Sequence, residues 1–426
     1  MTLCTGALLL SGCKDIVIEK ETEINSIPPE ATNQRTKIER ARPIALQPQA
    51  RAILSQNNSF SFLFFKAVSL VHDKNENLFL SPYSASALLG MLYNGADGET
   101  KKEIANVLGM SAYTPEEVNQ YYQDLTKALV EVDPNTSLSL ANAIWVNKYY
   151  TLKNTFVALN QKYYDAEVSA LDFALPSALK TINDWCNEKT KGTIPRILDE
   201  LSPATVAVLA NAIYFKSFWT TDFDPSKTVN KPFSNINGTT STVPMMHQKE
   251  LELLYAHMDV CGMVTLPYAN TAFAMNLILP NEGEDIDALI ADLDQETWQL
   301  IWSHSQTAKV TLSMPRFKIE NKLDSLSGIL ATLGMPSAFT PDKADFSAMI
   351  ADAAVFISRV IQKSYISVDE AGTEAAAVTL ANVAMSIPGL LPTPPYVTMV
   401  LNRPFIFTIT EQSTGAILFM GKVVKL

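Results

Sequence analysis

The sequence predicts an α+β fold, and three observations carry that expectation. The composition is globular: of 426 residues, 47% are hydrophobic, 18% charged and 9% aromatic, enough apolar material for a large core. Helix-period segments crowd the first half and strand-like runs the second. No regular strand–helix alternation links them, which argues against a parallel βαβ architecture.

The elements follow in chain order. AILSQNNSFSFLFFKAVSLVHD (52–73) predicts a helix with Phe60, Leu63, Phe64 and Val68 on one face. ASALLGMLYNGADGETKKEIANVLG (85–109) predicts two helices broken at Asn94-Gly95. SLSLANAIWVN (137–147) alternates as a strand does, and LKNTFVALNQKYYDAEVSAL (152–171) returns to helix. Strand-like runs follow at 207–219, 263–268, 273–280 and 309–320. The last stretch, 396–426, reads as successive strands with a turn at Ser413-Thr414-Gly415.

Charge and motifs exclude several functions. A net charge of -11 argues against nucleic acid, whose binding relies on Lys and Arg neutralising phosphates. No basic face stands out, so no polyanion cofactor is expected. The four cysteines (Cys4, Cys13, Cys186 and Cys261) form no CxxC pair. Cys186 and Cys261 fit either one disulfide or two buried free thiols. The four histidines (His72, His247, His257 and His304) show no metal-ligand spacing, and no nucleophile elbow, Walker loop or dinucleotide fingerprint occurs. Asp285 and Asp287 fit helix N-terminal acids better than calcium ligands. No catalytic residues, metal or cofactor are expected.

At the N-terminus, TLCTGALLLSG (2–12) is apolar and small and runs into Cys13. It is too short to span a bilayer, which takes about 20 apolar residues. It resembles a bacterial lipoprotein signal, which implies a signal peptide over 1–12, lipidation of Cys13 and residence at the cell envelope, lipid-anchored or extracellular. The basic residues that usually precede such a run are absent, so the resemblance leads one to expect the natural start upstream of Met1. Residues 13–51 are polar, mixed in charge and contain prolines, and read as a tether. A single domain is expected from 52 to 426.

Several ordered stretches carry a second resemblance. They are NLFLSPYSASALLGMLYNGADGETKKEI (77–104), INDWCNEKTKGTIPRIL (182–198), LANAIYFKSFWTTDF (209–223), LPYANTAFAMNLILPNEG (266–283), VDEAGTEAAAVT (368–379) and NRPFIFTITEQSTGAILFMGKVV (402–424). Together they resemble the serpin family over essentially all of 52–426. The first departs from the family's Phe-Ser-Pro-x-Ser by a leucine, Leu80, between Phe79 and Ser81. The resemblance implies three β-sheets, about nine helices and an exposed reactive-centre loop at about 370–396. It implies an inhibitor of serine proteases rather than an enzyme, acting as a monomer in a covalent complex with its target. In that mechanism the loop is cut and inserts as a new strand of the central sheet, releasing stored strain while the acyl-enzyme is trapped.

The loop residues can be read against that mechanism. The hinge would be Glu370, Gly372, Thr373, Glu374, Ala375, Ala376 and Ala377. Alternate side chains of a strand face opposite ways. Thr373, Ala375, Ala377, Thr379, Ala381 and Val383 form one set, small or apolar throughout. Glu374 falls in the other. Such a segment can be buried between strands, and Gly372 allows the turn into a sheet. The family's spacing, 16 residues after Glu370, points to Ser386. The Met385-Ser386 pair looks like the family's bait and places the cut between them, with Ala384 and Ile387 as alternates. Met385 would fill an apolar specificity pocket, which implies an elastase-, chymotrypsin- or subtilisin-like target; a trypsin-like one is not expected, because no Lys or Arg occurs between Glu370 and Asn402. Ser81, Ser84 and Asn211 match the family's shutter and Trp219 its breach tryptophan, while Gln362 takes the place of the shutter histidine. Ordinary core packing also explains these five, and Ser81 and Ser84 can cap a helix as well. The alternative function is a non-inhibitory serpin acting as a binding or structural surface protein.

Overall fold

The computed structural model describes residues 38–324, 326–373 and 394–426. The chain runs α1 (Pro48–Val71), β1 (Leu78–Leu80), α2 (Pro82–Gly95), α3 (Gly98–Val107), α4 (Pro115–Glu131), β2 (Ser137–Asn147), α5 (Asn154–Tyr164), β3 (Glu167–Leu171), α6 (Pro176–Lys189) and β4 (Ala207–Phe218). A strand-rich stretch follows: β5 (Val229–Ser234), β6 (Thr240–His257), β7 (Cys261–Pro267) and β8 (Phe273–Pro280). Then come α7 (Ile286–Asp292), α8 (Gln295–Ser303), β9 (Gln306–Pro315), β10 (Phe317–Leu323), α9 (Leu326–Thr332), β11 (Arg359–Val368) and β12 (Gly372–Thr373). β13 (Tyr396–Val400), β14 (Phe405–Glu411) and β15 (Ile417–Val423) close the chain. Nine α-helices among the described residues and mixed sheets make this the α+β fold that the sequence predicts.

Helix starts are set by local chemistry. The Thr114 hydroxyl accepts from the Glu117 N–H while the Glu117 carboxylate accepts from the Thr114 N–H, a capping box ahead of Pro115. Ser81, Asp285 and Asp294 cap α2, α7 and α8 with their side-chain oxygens. α2 is buried along its whole length and is the helical centre of the molecule.

One sheet follows the order β10-β11-β12-β4-β2-β3. Its β4 is apolar on both faces. Leu209, Ile213 and Phe215 join the main core with α1 and α2, whereas Val208, Ala210 and Ala212 join a smaller core under α6 with Trp145, Ile182 and Cys186. A strand covered on both sides reads as a continuous hydrophobic run. The other sheet runs β1-β15-β14-β8-β7-β6-β9-β13, with β5 paired to β6. The small third strand set (β5, β9, β13 and the first part of β6) is continuous with it, because β6 spans 18 residues with a register shift between Gln248 and Leu251.

Three expectations are corrected, and of the two readings left open for Cys186 and Cys261 the free thiols are found. Leu63 is 51% exposed, and Ile53, Leu54, Phe62 and Phe65 are buried alongside Phe60, Phe64 and Val68, so α1 is covered on more than one side. Residues 152–171 hold α5 and then a strand, β3, which pairs with β2. The tether does not extend to residue 51: α1 starts at Pro48, and Ala41, Ile44 and Leu46 already pack on the core. Cys186 and Cys261 are free and buried, and burial pushes their thiols up to about 12 and about 11. Among the described residues no helix is long and apolar enough to cross a membrane.

Candidate functional site

The site lies along the seam between β4 and β11. These strands pair in parallel from Arg359↔Val208 to Lys363↔Ala212. Six residues beyond Gln362 and Asn211, the place between them is taken by Thr373, which pairs with Val368 on one side and Ser217 on the other. Between those points the described ladders pair β4 with β2 and β11 with β10 only. The seam is therefore closed at its middle and parted at its mouth.

At the middle, Gln362 and Asn211 are register partners. The Gln362 side-chain amide donates to the Ser81 carbonyl (2.9 Å) and to Asn211 Oδ1 (3.3 Å), and its oxygen accepts from the Ser81 N–H (2.8 Å). Ser81 Oγ donates to the Leu418 carbonyl (2.7 Å) and accepts from the Ser84 N–H (3.2 Å). Asn211 Nδ2 donates to Asn142 Oδ1 (2.7 Å). Four of the expected residues thus meet at one buried point joining α2, β4 and β11. Ser84 contributes its backbone, and its hydroxyl has no hydrogen-bond partner among the described residues.

At the mouth, Trp219 Nε1 donates to the Asp369 carbonyl (2.9 Å) and its backbone N–H to the Ala371 carbonyl (3.0 Å). Its ring stacks on Tyr268 at 4.4 Å. The Tyr268 and Thr373 hydroxyls hydrogen-bond at 2.7 Å, so the Thr373 side chain points into the main core. Gly372 has φ +150°, and a Cβ there would meet the Ser217 carbonyl oxygen at 2.2 Å; only glycine fits so close an approach in that backbone. Glu370 is held by the Arg316 guanidinium (2.7 and 2.6 Å) and by the Thr228 hydroxyl. Burial acts to raise its carboxyl pKa, but the hydrogen bonds from Arg316 and Thr228 outweigh it and hold the group below the ordinary glutamate value.

Glu374, Ala375, Ala376 and Ala377, the bait residues Ala384, Met385, Ser386 and Ile387, and Cys13 lie outside the described residues. On the far side of the loop, β13 pairs in parallel with β9 from Tyr396↔Lys309 to Val400↔Ser313. Arg316, Thr228 and Tyr268 were not expected from sequence.

This architecture has clear relatives. The serpin (serine protease inhibitor) family model matches residues 55–426. An uncharacterized serpin-like protein of Thermococcus kodakarensis is 34% identical over 88% of this chain and 86% of its own length. The human leukocyte elastase inhibitor is 33% identical over 86% of this chain and 98% of its own. Among solved structures, the thermophilic serpin tengpin in its native state matches with a TM-score of 0.80 at 31% identity, covering 91% of this chain and 97% of tengpin. Human thyroxine-binding globulin complexed with thyroxine matches at 0.79 and 31%, covering 88% and 99%. The chain belongs to the serpin family, whose members are typically protease inhibitors rather than enzymes.

Proposed function

We propose that this chain is a suicide-type inhibitor of serine proteases, cut between Met385 and Ser386 by an elastase-, chymotrypsin- or subtilisin-like enzyme. The observation that carries this is the parted mouth of the seam, with Thr373 already lodged between Val368 and Ser217. A strand continued from Thr373 in the same register reaches Asn211 and Gln362 six residues later, at Thr379. It brings the small set, Ala375, Ala377 and Thr379, onto the core side that Thr373 already faces. About ten new ladder hydrogen bonds at roughly 1 kcal/mol net each make insertion worth on the order of 10 kcal/mol, comparable to a domain's stability. The uncut form is then kinetically trapped. Ser81, Gln362 and Asn211 act as the shutter that must part, and Trp219 guards the mouth. The similarity to the leukocyte elastase inhibitor supports the target class.

Incubation with elastase, chymotrypsin or subtilisin tests this. The expected product is an SDS-stable complex with release of a peptide beginning at Ser386. The similarity to thyroxine-binding globulin favours a second reading, a non-inhibitory binding or structural protein; rapid cleavage without a complex would establish it in place of the first. The lipoprotein reading of residues 1–13 belongs to this proposal: Cys13 carries a lipid that holds a monomeric domain at a bacterial envelope. Fatty-acid labelling lost on Cys13→Ser is its test.

A further inference from the structure

α1 carries an apolar stripe that the fold leaves uncovered. Its inner side is packed, with Phe60, Phe64, Phe65 and Val68 buried. Its outer side ends in Leu70, 84% exposed, and Val71, 70% exposed, the two most exposed large hydrophobic side chains among the described residues. Leu63 is half exposed and precedes Leu70 by seven residues, two helical turns, so the two share a face. Leu300 of the neighbouring α8 is half exposed as well. The two helices meet where the Phe62 ring lies 5.9 Å from that of Trp298.

Charge along this stretch runs against the rest of the chain, which holds 33 basic and 44 acidic residues. α1 has Arg51 and Lys66 and no Asp or Glu in its 24 residues. Arg40 and Arg42 before it and Lys74 after it are exposed. Between residues 38 and 74, five basic residues stand against two acids, Glu39 and Asp73, a net charge of +3. Opposing charge comes from α8. Hydrogen bonds from Thr297 hold the Asp294 carboxyl below its ordinary value, and Lys66 lowers it further, so Lys66 is partly neutralised.

Side chains as exposed as Leu70 and Val71 protrude rather than line a groove. Protruding apolar residues set between basic ones mark a helix face that rests in the headgroup layer of a membrane. Spanning is not at issue, since no helix among the described residues is long and apolar enough to cross. We infer that the outer face of α1 docks on a bilayer containing anionic lipid, with Leu63, Leu70 and Val71 entering the interface and Lys66 and Lys74 beside the headgroups. A lipid on Cys13 would bring the domain within reach of such a surface. The physiological use of the face therefore rests on that reading, whereas its affinity for lipid does not. None of these residues belongs to the shutter or the mouth, so docking and protease capture are separable.

The test uses the full chain carrying Cys13→Ser, which removes the acylation site. It is sedimented with vesicles of phosphatidylcholine alone and of phosphatidylcholine mixed with phosphatidylglycerol. The protein should sediment with the mixed vesicles, and less so as salt rises. Adding Leu70→Asp and Val71→Asp together should weaken partitioning at least about tenfold, the order expected when two apolar side chains leave the interface. Lys74→Gln, which touches no packing, should weaken it by a smaller factor on the mixed vesicles only. All variants should keep the melting temperature and form the protease complex as before. Absent sedimentation with the mixed vesicles overturns the inference, as does equal binding by the double variant. A concentration-dependent dimer lost in the double variant, without vesicle binding, would assign the face to a second copy instead. Fatty-acid labelling of Cys13 decides the lipoprotein reading separately.

Discussion

A methyl group at residue 372 would press on the Ser217 carbonyl and on Phe218 Cα, 2.5 Å away. Both are strand backbone with no room to yield. Gly372→Ala should therefore lower the melting temperature of the uncut protein by several degrees, a loss of about 1–3 kcal/mol, and scanning calorimetry reads it directly. Glu370 gives a pH prediction at the same scale. Its folded pKa is depressed, so its contribution is fully present above the unfolded value and is lost as pH falls through the folded one. Parent and Glu370→Gln should differ in melting temperature at pH 7, and the gap should narrow below about pH 4. A constant gap would show that the Arg316 pair is energetically idle. Gly372 and Glu370 were visible in the sequence because they sit inside a contiguous motif. Their partners were not: Arg316 lies 54 residues from Glu370, Thr228 142 residues from it, and Tyr268 105 residues from Thr373. No local pattern announces a contact made only by folding.

Elements were legible wherever one periodicity ruled. β2 falls on the expected residues 137–147, and the break between α2 and α3 falls at Gly95. β6 escaped because Lys249, Glu250 and Glu252 interrupt its apolar alternation, and the register shift there resets which face each residue takes. Leu63 misled because its position repeats with the helix although its face meets solvent. The seam, an element-level feature, was implied only by family resemblance. Gln362 at its centre is uncharged at every physiological pH, so parting of β4 from β11 should be pH-independent between about 5.5 and 7.5. Gln362→His should add acid sensitivity. The buried imidazole stays neutral near neutrality, and its protonation at lower pH places an unpaired charge between the strands. The rate of conversion to the inserted, higher-melting form, measured across that range, checks both statements.

For the molecule as a whole, the uncut chain and the clipped chain should be two different stable objects. Thr373 is 1% exposed and faces the main core. Ala375→Arg, two residues further along the same face of a continued strand, would bury a charge only on insertion, at a cost of several kcal/mol. It should shift the outcome from trapped complex to turned-over substrate and raise the stoichiometry of inhibition at least about tenfold. Unchanged stoichiometry would place the inserting strand elsewhere. The fold class could be read from composition and periodicity alone. That the strands leave a slot between two of their number could not, because a slot is a property of pairing, and pairing joins segments about 150 residues apart in the chain.

The small core under α6 has a practical corollary. The Cys186 sulfur is sealed between that helix and β4 with no solvent exposure, and its thiol is held protonated by burial. Any event that lifts α6 off the sheet unseals it. An alkylating reagent added during protease capture should tag the peptide carrying Cys186 in step with that lifting, while Cys261, in the other core, stays unmodified. The protein thus carries a native chemical stopwatch for its own rearrangement.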